Sequence, residues 1–123
     1  MHNFRKLNIW IKSIDFVADV YRITKTFPKE EKFGLSAQME RAAVSISANI
    51  AEGSAKSSEK DFARFLEISL GSAYELETEL LIAHKLNYIT EETYLLFQNN
   101  LIELEKMISS FKIRILNEIK EKK

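Results

Sequence analysis

Apolar side chains recur every three or four residues along four long segments of this chain, which is the spacing of helices that bury one face. Few residues interrupt the pattern, because the 123-residue sequence contains one proline and three glycines. A domain made mainly of β-strands needs many turns, and so few turn-forming residues argue against it. The sequence therefore predicts an all-α fold with long helices and few connections.

Four helices follow from this spacing, and they cover about residues 7–26, 35–52, 58–86 and 90–117. Pro28 ends the first helix, because a residue that precedes proline is pushed out of the helical conformation. Ser58 and Thr90, each followed by acidic residues, are typical N-caps of the third and fourth helices. Short links between long helices predict an up-down-up-down four-helix bundle that occupies residues 1–123 as one domain.

The sequence also predicts specific structural roles for two glycines and one serine. Gly53 follows the second helix and fits a left-handed C-terminal cap. Gly71 lies with Ser72 and Ala73 in a patch of small residues inside the third helix, where glycine costs about 1 kcal/mol relative to alanine. We therefore expect a neighbouring segment to pack closely against Gly71. Ser36 is the expected N-cap of the second helix.

The first helix carries two apolar stripes, which together make a wider face than one partner helix requires. One stripe consists of Leu7, Trp10, Ile14, Val17 and Tyr21, and the other of Ile9, Phe16, Val20, Ile23 and Phe27. The third and fourth helices also carry apolar residues outside their main stripes. Surplus apolar surface typically marks an interface, and closed symmetric oligomers are its commonest use. We therefore expect the bundle to assemble into a closed homo-oligomer.

No residue pattern typical of a catalytic or metal site is present. The chain has no cysteine, and its three glycines are isolated, so it has no glycine-rich phosphate loop. A di-iron bundle needs Glu-x-x-His motifs, but Leu81 stands three residues before His84. We expect no metal, no cofactor and no enzymatic activity. His84 is interpreted as a surface or capping residue, and His2 is expected to be disordered.

Polar residues of the second and third helices are predicted to form a structural cluster, which consists of Arg41, Asn49, Glu52, Arg64, Glu75 and Glu79. Glu75 and Glu79 are one helical turn apart, so their like charges need a cation nearby. Arg41 or Arg64, from the same or a neighbouring subunit, could supply that cation. Asn49 should be at least half buried, and its amide must then find hydrogen-bond partners.

Basic residues are concentrated near both ends of the chain. The 18 basic residues equal the 18 acidic ones in number, so net charge gives no general attraction to nucleic acid. Candidate contacts to nucleic acid are Arg5, Lys6, Lys12, Lys112, Arg114 and Lys120. The alternative interpretation is that these side chains are solvated helix ends. Lys122 and Lys123 extend the C-terminal excess, and we expect the tail from Asn117 onward to be frayed.

The sequence contains no pattern of a secreted or membrane-spanning protein. Its first residues, MHNFRKLNIW, have neither a long apolar core nor a cleavage-site pattern. No apolar run approaches the roughly 20 residues that a membrane-spanning helix needs. We therefore expect a cytoplasmic protein without a membrane partner.

Two segments resemble a known family most specifically, and they are VSISANIAEG at 44–53 and FLEISLGSAYELE at 65–77. Phe27-Pro28 and Phe33-Gly34-Leu35 add to this pattern. The chain from Phe4 to about Ile115 resembles bacterial four-helix-bundle proteins that are encoded in intervening sequences of large-subunit ribosomal RNA genes. That family is similar to the accessory protein of diversity-generating retroelements, a pentameric barrel of bundles that binds nucleic acid and a reverse transcriptase.

The resemblance implies that the chain forms a closed homo-oligomeric ring, a homopentamer, and has no enzymatic activity. The retroelement relative is strongly basic, whereas this chain is neutral, and affinity for nucleic acid depends mainly on neutralised phosphates. Glu40 stands before Arg41 where family members often carry two basic residues. Two hypotheses remain. The first is an oligomeric interaction protein that recruits another macromolecule, and the alternative is a protein that binds intervening-sequence RNA or works with a reverse transcriptase.

Overall fold

The computed structural model describes residues 1–121, which form four α-helices and no strand. The helices are α1 Asn8–Thr24, α2 Leu35–Ser54, α3 Glu59–Lys85 and α4 Glu91–Glu121. Short 3-10 turns precede α1 at Phe4–Lys6 and connect α1 to α2 at Lys29–Glu31. Consecutive helices pack against each other, and α1 also contacts α4, which closes a four-helix bundle. The predicted all-α fold and its four helices are therefore confirmed.

Each helix buries a stripe of apolar side chains, as the spacing predicted. The buried stripe of α3 consists of Phe62, Leu66, Ser69, Ala73, Leu76, Leu80 and Ala83. The buried stripe that begins on α1 consists of Ile9, Phe16, Val20, Ile23 and Phe27. The corresponding residues of α4 are Leu101, Leu104, Ile108 and Ile115. Burial of these side chains is the main driving force for folding.

Local signals define the starts of α3 and α4. The Ser58 hydroxyl accepts a hydrogen bond from the Asp61 backbone N–H at 3.1 Å. The Thr90 hydroxyl accepts one from the Thr93 backbone N–H, also at 3.1 Å. Each bond satisfies a donor that the first helical turn leaves without a backbone partner, so both predicted N-caps are confirmed.

The end of α3 is a left-handed turn centred on Asn87. This residue has a φ of 63°, which asparagine tolerates better than most residues. The Tyr88 N–H donates to the Ala83 carbonyl at 2.9 Å, and the Asn87 N–H donates to the His84 carbonyl at 3.0 Å. These two bonds form a Schellman motif, which satisfies two carbonyls of the last turn.

Gly53 does not cap α2, and the expectation of a left-handed conformation there is wrong. The residue lies inside α2, and no glycine in residues 1–121 has a positive φ. A methyl group on Gly53 would stand 2.6 Å from Phe65 Cβ and 2.8 Å from Phe62 Cδ1. Gly53 is therefore needed for the close approach of α2 to the start of α3.

The surroundings of Gly71 are open, whereas the patch of small residues predicted close packing there. A methyl group on Gly71 would meet no atom of the chain within 4 Å. The expectation that a segment of the same chain packs closely against Gly71 is therefore wrong. The residue lies on a face of α3 that the bundle leaves open.

The side chain that caps the start of α2 is Glu31, four residues before Leu35, and not Ser36. Ser36 is buried within the first turn, and Gly34 takes the N-cap position without a side-chain bond. Instead, Glu31 Oε1 accepts a hydrogen bond from the Leu35 N–H at 3.1 Å, and Glu31 Oε2 accepts one from the Tyr88 hydroxyl at 2.8 Å. Both bonds hold the pKa of Glu31 below its ordinary value, with the Leu35 bond the larger cause.

Both histidines and the C-terminal helix are more ordered than expected. The His2 N–H donates to the Ser54 carbonyl at 3.0 Å, and the His2 ring nitrogen lies 3.0 Å from Glu59 Oε1. His84 is half-buried and stacks on the Tyr94 ring at 4.7 Å, so it is not a free surface residue. Helix α4 continues to Glu121, so the expectation of fraying from Asn117 is wrong over the described part.

Lys122 and Lys123 lie outside the described residues. None of the helices within residues 1–121 combines the length and the apolar content that crossing a membrane would require.

Candidate functional site

The first candidate surface is the outer stripe of α1. In this stripe Ile14 is 41% exposed and Tyr21 is 39% exposed, and neighbouring Ile11 is 43% exposed. Trp10 and Val17 are half-buried. The other stripe of α1 is buried, and Leu7, Trp10 and Val17 of the outer stripe also pack against the core. Ile14 and Tyr21 are thus the members of the outer stripe that one bundle leaves exposed.

Further large apolar side chains are exposed on the other helices and on the link before α2. They are Phe33, Val44, Ile68, Tyr74, Leu81, Ile82, Leu86, Leu95, Leu96 and Ile113. The members on α3 lie across the bundle from those on α1. Helices α1 and α3 each pack against α2 and α4, and they do not contact each other within residues 1–121. They occupy opposite corners of the bundle, so their outer faces point away from each other.

The structure divides the predicted polar cluster into separate parts. Three of its members, Arg41, Glu75 and Glu79, come together around an open pocket between α2 and α3 with a volume of about 520 Å³. Gln38, Thr78 and Ile82 complete the lining. Arg41 is thus the cation nearest the two glutamates. It makes no ion pair within 4 Å with a carboxylate of residues 1–121.

Glu79 is the unusual member of this pocket. Its side chain belongs to a residue that is only 6% exposed, and no group of residues 1–121 donates a hydrogen bond to Oε1. Burial raises the pKa of Glu79 to about 7; the negative charge of Glu75 adds to the rise, and Arg41 opposes it. The pocket therefore contains a buried carboxyl group whose protonation changes near neutral pH.

The other predicted members lie elsewhere. Asn49 is half-buried, and its amide donates to the Ser45 carbonyl at 2.8 Å. The Ser45 hydroxyl also lies 2.8 Å from the Ser72 hydroxyl, so these side chains link α2 to α3. Arg64 is 3.9 Å from Asp61 and stands over the Phe65 ring, and it does not reach the pocket. Glu52 is exposed.

A second buried carboxyl group, Glu105 on α4, was absent from the predicted site. Glu105 is 8% exposed, and no donor in residues 1–121 reaches its Oε2. Burial raises the pKa of Glu105 to about 8, and a hydrogen bond with Glu77 of α3 and the Glu77 charge act in the same direction. A signal existed in the sequence, because position 105 is four residues after Leu101 and three before Ile108, inside the buried stripe.

The basic candidates are partly collected in a groove of about 640 Å³ between the start of α1 and α4. Lys6, Lys106 and Arg114 line this groove, and Phe111 contributes to its apolar floor. Glu103 is the acidic residue of the lining, and it is paired with Lys12. None of the three lining cations forms an ion pair with a carboxylate of residues 1–121. The groove is therefore a local positive surface on a neutral chain.

The other four basic candidates either contact another side chain or lie away from the groove. Lys12 is paired with Glu103, and Lys112 lies 3.5 Å from Glu67. Arg5 stands over the Phe4 ring at 4.6 Å. Lys120 is exposed in the last turn of α4. The structure thus brings together two of the six predicted contacts, Lys6 and Arg114.

Comparison with known proteins adds a family to this geometry. The sequence pattern of the 23S rRNA-intervening sequence proteins matches residues 5–110. The chain belongs to this family. No match was found among curated proteins. The predicted resemblance to intervening-sequence proteins is confirmed, whereas the link to the accessory protein of retroelements stays a prediction.

A solved structure supports the same assignment. The solved structure is that of a protein of the S23 ribosomal protein family from Bacteroides thetaiotaomicron VPI-5482, which is described as having unknown function. The sequence of that protein is 31% identical to this chain, and the two structures superpose with a TM-score of 0.79. The match covers 85% of this chain and 97% of that chain.

The family match does not include every surface described above. The outer stripe of α1 and the pocket between α2 and α3 both lie within the matched residues 5–110. Lys112, Arg114 and Lys120 lie beyond them. The outer stripe of α1 and the carboxylate pocket therefore lie in the region that the family pattern covers, and the C-terminal basic residues do not.

Proposed function

We propose that this intervening-sequence protein is a non-catalytic interaction protein, which assembles with copies of itself and recruits another macromolecule in the cytoplasm. The observation that carries the proposal is the division of α1 into two apolar stripes. One stripe is buried in the bundle, while Ile14 and Tyr21 of the other remain exposed. Apolar surface of this kind gains stability when a partner removes it from water.

A second copy of the chain is the partner that suits this surface. The outer face of α1 points away from that of α3, because the two helices occupy opposite corners of the bundle. Contact between the α1 face of one copy and the α3 face of the next is head-to-tail, and such contacts form a ring when the rotation closes. The resemblance to the accessory protein of retroelements implies five copies in that ring.

Sedimentation of a variant with a charge in the outer stripe tests the proposal. We expect Ile14→Glu to reduce the native mass, because a carboxylate buried between copies would lack a partner. Asn99→Glu adds the same charge at an exposed polar position of α4 and should keep the wild-type mass. Circular dichroism should show equal helix content in all three proteins. An Ile14→Glu protein with unchanged mass, or a monomeric wild type, would refute the proposal.

RNA binding is a second candidate function, and the groove lined by Lys6, Lys106 and Arg114 favours it. Cations without a carboxylate partner are available to phosphates, and a ring of copies repeats the patch several times. Anisotropy of a labelled RNA should show binding at low salt that weakens steeply by about 0.5 M salt. The double variant Lys6→Glu/Arg114→Glu should bind more weakly, and Lys60→Glu on exposed α3 surface should not. Absence of binding at low salt would reject this candidate.

A further inference from the structure

We propose that the pocket between α2 and α3 of one copy receives a positively charged side chain from a second copy of the chain. The inference rests on the proposed self-association and extends it, because it assigns a specific polar site to the interface. The site is incomplete in a single chain, and a neighbouring copy would complete it.

The first observation is an unsatisfied acidic group that is almost fully buried. Glu79 is 6% exposed, lines the pocket, and receives no hydrogen bond at Oε1 from residues 1–121. Buried carboxylates in proteins are normally paired with a cation or a donor, because desolvation of an isolated charge is very costly. An unpartnered carboxyl group beside an open pocket therefore points to a ligand that carries donors.

The second observation is the charge of the pocket. Glu75 and Glu79 are the acidic groups of the lining, and Arg41 is its cation, so the ionised pocket has one negative charge in excess. Arg41 does not pair with either carboxylate within 4 Å in the described structure. The chemistry that fits is an ammonium or guanidinium group, which donates several hydrogen bonds and neutralises the excess.

The surroundings of the pocket favour a protein cation over a solvent ion. Ile82 belongs to the lining and is 44% exposed, and Ile68, on the same side of α3, is 43% exposed. Val44, three residues after Arg41 on α2, is 43% exposed. These exposed apolar side chains flank the pocket on both helices, and a protein partner that covers them would also bring its own side chains to the pocket.

Two cations suitable for this pocket follow the outer stripe of α1 in the sequence. Arg22 and Lys25 lie one and four residues after the exposed Tyr21. Arg22 pairs only with its helix neighbour Asp19, at 2.9 Å, and its side chain is 73% exposed. Lys25 makes no ion pair within residues 1–121. If the α1 face of one copy meets the α3 face of the next, these side chains approach the pocket.

Glu79→Gln tests the site, because glutamine keeps the shape of the side chain and removes its charge. We expect the dissociation constant of the assembly to increase roughly tenfold or more, since a buried interfacial cation would lose its partner. Glu67→Gln is the matched control on the side of α3 that faces α4, where Glu67 is paired with Lys112. This control should assemble as the wild type does. Arg22→Gln or Lys25→Gln should reproduce the loss, and neither should add to Glu79→Gln.

A second measurement reports on the pocket directly. Carbon NMR should give the Glu79 carboxyl a pKa near 7 in the dissociated Ile14→Glu protein, and a clearly lower pKa in the assembled wild type. All described lining residues belong to α2 and α3, and Arg41 from α2 and Glu75 from α3 are the charged groups that face Glu79. Assembly should therefore strengthen as pH rises through about 7, because the cation binds the ionised carboxylate.

The outcomes separate this inference from the proposed function. If Ile14→Glu dissociates while Glu79→Gln assembles like the wild type, the self-association stands and the cation site is overturned. The cation site is also overturned if the pKa of Glu79 is equal in the assembled and dissociated proteins. A low pKa in the dissociated protein that Arg41→Gln abolishes would identify Arg41 as the cation and exclude the partner copy. A monomeric wild type would refute both proposals.

Discussion

At Gly53, a single methyl group would collide with side-chain atoms of Phe62 and Phe65 at distances below 3.0 Å. We expect Gly53→Ala to reduce the free energy of unfolding by about 1–3 kcal/mol, because α2 and α3 must move apart to accept it. Gly71→Ala should do the reverse and stabilise the chain by up to about 1 kcal/mol, since it replaces glycine inside a helix without a clash. Urea unfolding of both variants measures this difference.

The unfolding experiments should use a low protein concentration, so that assembly does not contribute to the measured free energies of unfolding. Ala63 and Ala73 show that α3 itself accepts alanine at buried positions. A Gly53→Ala protein that unfolds at the wild-type urea concentration would show that the two helices can separate without cost.

Residue roles that depend on neighbours in the chain were predictable, and those that depend on distant segments were not. Ser58 and Thr90 cap helices that begin within three residues of them, so the sequence contains the whole signal. Glu31 caps Leu35 but is held by Tyr88, which lies 57 positions away. Gly53 likewise shows its role only once α3 is folded beside it. A glycine near a helix end is equally compatible with a cap and with a close helix contact.

At the scale of elements, the link from α3 to α4 depends on the left-handed conformation of Asn87. We expect Asn87→Gly to be neutral or stabilising, because glycine adopts a positive φ without strain. Asn87→Val should destabilise the chain by about 1–2 kcal/mol, because a branched side chain is strongly disfavoured there. Thermal melts of the two variants provide the comparison, and equal melting temperatures would contradict this account of the link.

The contact of α3 with α4 contains a carboxyl pair that should make stability depend on pH. The pKa of Glu105 is raised to about 8 in the folded chain, whereas an unfolded glutamate titrates near 4.3. Between these values the folded state binds more protons, so the free energy of unfolding falls as pH rises from about 4 to about 8. In the dissociated chain Glu79, with a pKa of about 7, contributes in the same direction over a narrower range.

Glu105→Gln should remove much of this decline, because an amide stays neutral and can still donate to Glu77. The gain in stability at about pH 9 should be on the order of a few kcal/mol, and it should be small at about pH 5. Glu118→Gln, at an exposed position on the same helix, is the control. Urea unfolding across this pH range measures the effect. If the free energies of unfolding of the wild type and Glu105→Gln change with pH in parallel, the pKa of Glu105 is not raised.

At the scale of the whole molecule, the sequence predicted the bundle but not which apolar face it would bury. Both stripes of α1 have helical spacing, and neither contains a charged residue. The choice depends on how α1 docks against α2 and α4, which is a property of the complete core. Arg41, Glu75 and Glu79 of the predicted polar cluster line one pocket, but Arg41 forms no ion pair within 4 Å with a carboxylate of residues 1–121. Burial of Glu79 without a partner appears only in the folded chain.

Light scattering of the wild-type protein measures whether copies of the chain assemble through apolar surface. Apolar contacts respond weakly to salt, whereas ionic contacts weaken strongly at about 0.5 M, where the Debye length is only a few Å. The native mass should stay a fixed multiple of 14.3 kDa, with five copies expected, from low salt to about 0.5 M. A mass of one chain at micromolar concentration would contradict this assembly.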